Sequence, residues 1–153
     1  MGHYIANLRD IEFCLFDLLQ RDEILGKSIY KDLDRQTIMG MLEEVKRMAE
    51  NDLAASFVDG DQIAVKFDPA TGDAKLPESF KKSYKTFMDN EWWRIDAPVE
   101  LGGTAIPQSV RWAIAEMVLG SNPAIHIYAS GTAFAHVAYV FGTLEQKKIA
   151  KLM

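Results

Sequence analysis

Hydrophobic and polar positions divide this chain into helical stretches around one irregular middle segment. The clearest pattern runs from Asp34 to about Phe57. There Ile38, Met41, Leu42, Val45, Met48, Ala49 and Leu53 recur at the i, i+3, i+4, i+7 spacing of a helix with one buried face. Glu43, Glu44, Lys46, Arg47 and Glu50 fill the opposite face. Asp34 suits the N-cap, because its carboxylate accepts from the free amides of the first turn. Arg9 to Gln20 reads as an earlier helix, with its strongest stripe at Phe13, Phe16 and Leu19. Asp22 to Leu33 reads as a short helix followed by a loop.

From Val58 to Leu76 the periodicity is lost. Ile63 to Phe67 reads as a strand, Asp68-Pro69-Ala70-Thr71-Gly72-Asp73 is turn chemistry, and Ala74 to Leu76 suits a returning strand. A small hairpin or an extended loop is expected. A helix then begins near Pro77, with Phe80, Tyr84, Phe87 and Met88 on one face. Glu91 to Pro107 reads as a loop holding Trp92, Trp93 and Gly102-Gly103. Pro107 to Leu119 is the next helix, with Val110, Ala113, Ile114, Met117 and Val118 turned inward. Gly120-Ser121-Asn122-Pro123 reads as stop, cap and restart.

Pro123 to Phe141 carries no Asp, Glu, Lys or Arg. It borders on the length of a membrane span, but His126, Ser130, Gly131, Thr132 and His136 interrupt it, and a buried helix is the expectation. Gly142-Thr143-Leu144-Glu145-Gln146 opens the final helix. Thr143 and Gln146 have the spacing of a capping box. The fold class expected is mainly α: an orthogonal bundle of about six helices with a small hairpin or irregular insertion near 58–76.

Composition adds boundaries rather than a function. The 153 residues are 48% apolar and 25% charged, ordinary for one folded domain. The net charge of −5 argues against nucleic acid as a partner, since phosphate contacts need a basic face. A single cysteine, Cys14, allows no internal disulfide and no CxxC knuckle, and is compatible with the cytoplasm. The acids at Asp59, Asp61, Asp68 and Asp73 lack the alternation of a calcium loop. His126 and His136 form no HExxH motif, and no serine or cysteine is paired in sequence with a base. No catalytic and no metal-ligating residue is assigned in this chain.

Three stretches taken together resemble the N-terminal helical domain of flavin-dependent acyl-CoA dehydrogenases. They are Ala97-Pro98-Val99-Glu100-Leu101-Gly102-Gly103, then Ala115-Glu116-Met117-Val118-Leu119 leading into an apolar helix, then Gly142-Thr143-x-Glu145-Gln146-Lys147-Lys148. Met1 to Asp17 and the 59–81 stretch are similar to a bacterial subgroup with larger subunits and an extended N-terminus. The resemblance implies an extension over 1–33 packed on a helical domain over 34–153. The resemblance further implies that the family's β-domain and C-terminal helical domain are not contained in these 153 residues.

It also implies chemistry that these residues do not themselves carry. Family members remove hydrogens from the α and β carbons of an acyl thioester, using a glutamate base and hydride transfer to FAD. FAD is thus implied for the complete enzyme, and little or none is expected on this chain alone, which should be inactive by itself. Counting back from Gly142, the face lining the acyl pocket falls on Ile125, His126, Ala129 and Ala133, with the two alanines as small i, i+4 neighbours. Implied partners are the acyl-CoA substrate, the remaining domains or a complementary subunit, and further copies in a homo-oligomer. No membrane span is expected. A chain ending at Met153, about two turns into its last helix, is expected to be truncated and to self-associate, swap a helix or recruit a partner. The alternative is a stand-alone helical interaction protein, or a non-catalytic binder of acyl chains.

Overall fold

The computed structural model describes residues 2–153. It is 67% helical with one small antiparallel sheet, so the mainly α expectation holds. Among the described residues the helices are α1 (Leu8–Glu12), α2 (Arg35–Met48), α3 (Phe57–Gln62), α4 (Glu78–Asp89), α5 (Gln108–Ser121), α6 (Pro123–Tyr128), α7 (Gly131–Phe141) and α8 (Leu144–Ala150). Strands β1 (Lys66–Asp68) and β2 (Asp73–Lys75) pair with Lys66 opposite Lys75.

The core forms where the apolar stripes of α2 and α5 meet. Ile38, Leu42 and Val45 of α2 lie against Val110, Ile114 and Met117 of α5, and all are shielded from solvent. Phe80 and Phe87 of α4 close one side. The first 33 residues add Ala6, Ile11, Leu15, Phe16 and Leu25 to the same cluster. A short strap precedes α1. Its Ala6 amide donates to Glu50 Oε1 at 2.9 Å, and the Tyr4 ring lies against Gly120. Burial, with Glu116 and Glu50 nearby, raises the Tyr4 phenol above its ordinary pKa.

Asp34 caps α2 as its sequence position suggests, accepting from the Thr37 amide at 2.7 Å. That bond, available to the charged carboxylate, holds the Asp34 pKa below its usual value. The sign follows from linkage. A lowered folded-state pKa contributes stability above the unfolded carboxylate pKa of about 3.9, lost as pH falls through the folded value. Asn caps a helix without titrating. Wild type is therefore expected to melt above Asp34→Asn at neutral pH. The gap should close below about pH 4, as thermal melts across an acid series would show.

Three expectations need correction. The Phe13–Phe16–Leu19 stripe does not form, because the chain leaves α geometry at Phe13 for π-helical turns through Leu18. Wider i→i+5 turns rotate a three-residue spacing off one face. Ile11, Leu15 and Phe16 are buried, while Phe13 and Leu19 are exposed. In the insertion, α3 occupies the segment up to Gln62, the first strand covers Lys66–Asp68 rather than Ile63–Phe67, and both strands are exposed. Finally, Pro123–Phe141 is not one buried helix. It breaks at Ala129-Ser130, where the Ser130 hydroxyl donates to the Ile127 carbonyl at 2.6 Å and Gly131 restarts the helix.

The two halves of that segment differ in burial. Ile125 of α6 is sealed in the core. On α7 the one buried side chain is Ala135, and the large ones, Phe134, Val137, Val140 and Phe141, face outward. The α7–α8 corner matches its sequence signature: the Gln146 amide donates to Thr143 Oγ1 at 3.3 Å, and the Thr143 amide donates to Gln146 Oε1 at 2.8 Å. No helix among the described residues is long and apolar enough to cross a membrane.

Candidate functional site

Two recesses flank the loop that joins α4 to α5, and α7 borders both. The loop is shaped by its own backbone bonds. The Leu101 and Gly103 amides both donate to the Pro98 carbonyl, at 2.9 and 3.0 Å, and the Thr104 amide donates to the Arg94 carbonyl at 2.9 Å. Gly102 sits at φ +83°, in the left-handed region that side chains avoid. Gly103 lies so close to the preceding turn that a Cβ there would stand 1.8 Å from the Ala97 carbonyl oxygen. Arg94 locks the loop from outside, donating to the Gly102 carbonyl at 3.1 Å and to Glu91 at 2.7 Å while covering the Trp93 ring.

The first recess, about 450 Å³, lies between this loop, the start of α5 and α7. Ala133, His136, Val137 and Phe141 form its α7 side, and Ile106 belongs to the loop side. Asp96 and Arg111 also line it. They form an ion pair with side chains only 13% and 15% exposed, so water screens it little. The second recess, about 470 Å³, lies beyond the loop and is lined by Trp93, Leu101, Thr132, Ala135, Ala150 and Met153 among others. Both recesses are open to solvent and mix apolar side chains with polar ones, among them His136 in the first and Glu100 and Lys151 in the second. Among the described residues no group of three His, Cys, Asp or Glu side chains is placed to hold a metal.

The four residues singled out by resemblance are spread over different environments. Ala133 lines the first recess and is half-buried. His126 is half-buried, Ala129 is buried, and Ile125 lies in the core at 0% exposure. Those three are not among the residues lining either recess. Ala129 and Ala133 are separated by the break before α7 and so do not share one uninterrupted helix, contrary to the i, i+4 expectation. Sequence reasoning missed the Asp96–Arg111 pair, which joins a loop to a helix with no periodic cue. It also missed His136, Val137 and Phe141 as lining residues. A signal did exist, since Ala133, Val137 and Phe141 are spaced four apart along a helix carrying no charge.

No family model matches the chain. Among curated proteins, it is 45% identical over 152 residues to the broad-specificity linear acyl-CoA dehydrogenase FadE5 of Mycobacterium tuberculosis, an alignment covering 99% of this chain and 25% of that protein. It is 30% identical over 115 residues to 3-methylmercaptopropionyl-CoA dehydrogenase of Ruegeria pomeroyi, covering 75% of this chain and 19% of that protein. The chain thus spans a quarter or less of the length of these relatives. It is a segment matching the acyl-CoA dehydrogenase family.

Proposed function

We propose that this chain forms one wall of the acyl pocket in an FAD-dependent acyl-CoA dehydrogenase working in the cytoplasm. The observation that carries this reading is the 45% identity along nearly the whole chain, at a segment whose α7 helix turns its large apolar side chains outward beside a recess. The reaction removes hydrogens from the α and β carbons of an acyl-CoA thioester. The flavin supplies the hydride acceptor when bound. The residues of this chain do not by themselves fit that group: Arg111, the guanidinium lining the recess, is already paired with Asp96, and much of the remaining lining is apolar. On this reading the flavin and the base are supplied from outside this segment, and the isolated chain is expected to be inactive.

The wall acts by excluding water and guiding the acyl chain. Of the four residues singled out by resemblance, Ala133 borders the first recess and is the one offered to the acyl chain, while His126, Ala129 and Ile125 back it from α6 and the turn that follows. The small side chain of Ala133 leaves depth for a long or bulky acyl group, with Ala129 packed behind it. The uncovered α7 and α8 surface is then covered by the rest of the same enzyme, which assembles as a homo-oligomer. In the complete enzyme, Ala133→Phe is expected to lower kcat/KM for long-chain acyl-CoA about tenfold or more while sparing short chains, the scale of one apolar pocket contact. An unchanged ratio between long and short substrates would overturn the assignment.

A further inference from the structure

The corner between α5 and α6 is anchored from within. Asn122 stands at the N-cap position of α6, where an asparagine ordinarily accepts from the first-turn amides. Here its side chain makes no such bond. It is 2% exposed, and its amide nitrogen donates to the Leu53 carbonyl at 3.2 Å and to the Ser56 hydroxyl at 3.0 Å. Ser56 is itself fully buried and donates to the same Leu53 carbonyl at 3.4 Å. These partners lie where α2 has run on through a π-helical turn, Ala49–Leu53, and a 3-10 turn, Ala54–Ser56.

A wholly desolvated amide is costly unless its donors are used. A solvent-facing cap would have stopped and restarted the helix without that cost. The inward side chain therefore fixes a position rather than merely ending a helix. Pro123 follows at once with its φ set by the ring, so little freedom separates the anchor from α6. Across the corner, Tyr4 leaves no room for a Cβ at Gly120.

We propose that Asn122 is a positioning residue: held by Leu53 and Ser56, it sets where α6 and α7 sit against the core and thereby the depth of the acyl wall. This rests on the function proposed above. The test uses the intact enzyme that contains this segment. Asn122→Asp keeps the shape but presents an oxygen to the Leu53 carbonyl with no proton to give. Amide hydrogen exchange across 123–141 is expected to accelerate about tenfold, the scale of one lost buried hydrogen bond, while α2 and α4 hold.

The long-to-short chain ratio of kcat/KM is expected to shift at least about threefold, with Ser56→Ala giving a smaller shift in the same direction. Unchanged exchange in 123–141 overturns the anchor. Faster exchange with an unchanged chain-length ratio overturns the role in setting wall depth and leaves only a structural one. Should Asn122→Asp not fold, Ser56→Ala decides by the same two readings. Wild-type enzyme inert toward every acyl-CoA would instead remove the functional reading, with the exchange measurement still deciding the anchor.

Discussion

The isolated chain is expected to self-associate at micromolar concentration, and Phe134→Lys with Phe141→Lys is expected to make it monomeric. Phe134 is 64% exposed and Phe141 83% on α7, and Leu144 and Ile149 of α8 and Leu152 just after it are exposed as well. Isolated exposed apolar residues are commonplace, but a contiguous patch of several hundred Å² marks an interface. If such a patch reached about 400 Å², covering it at about 25 cal/mol/Å² would be worth about 10 kcal/mol. That rivals the whole stability of a domain, about 5–15 kcal/mol. Lysines at these two positions on α7 would keep their charges in water and oppose close packing. Light scattering over a concentration series reads the result. A monomeric, thermally robust unaltered chain would show that the patch needs no cover.

The second large effect falls on Gly103. Gly103→Ala is expected to destabilise the chain by about 4 kcal/mol, in the range reserved for severe backbone conflict. The new methyl would meet the Ala97 carbonyl carbon at 2.4 Å as well as its oxygen, and both are backbone atoms that cannot swing aside. Relief requires opening the turn held by the Pro98 carbonyl, which would also release the amide of Thr104 from Arg94. Gly102→Ala is the control. Its Cβ would meet nothing within 4 Å, so only the left-handed conformation is strained, costing about 1 kcal/mol. Urea midpoints of the two variants separate a close approach from a conformational preference. Equal midpoints would show that the loop yields readily at Gly103.

What the sequence made legible follows from the range over which each signal acts. The buried stripe of α2, the Asp34 cap and the Thr143–Gln146 box depend on contacts within one or two turns, and all three are present. Phe13 and Leu19 were misplaced because a periodicity argument assumes α geometry, and the π-helical turns between them violate it. Pro123–Phe141 read as a buried helix because hydrophobicity reports a need for cover without saying which molecule provides it. The Gly102-Gly103 pair flagged the loop beside the recess. The Asp96–Arg111 pair and the Asn122 anchor bridge segments distant in the chain, and no local rule finds such partners. Asn122 even carried a misleading signal, since its residue type and position fit a cap that the fold does not use.

The hairpin of β1 and β2 has a consequence for how such chains diverge. Both strands are exposed throughout, and the turn between them is held by its own bonds, among them the Gly72 amide to the Asp68 carbonyl at 2.8 Å. No residue of either strand belongs to the core cluster. Lengthening or trimming the hairpin is expected to leave the core cluster intact. Changes in its length are therefore expected to cost this segment little stability.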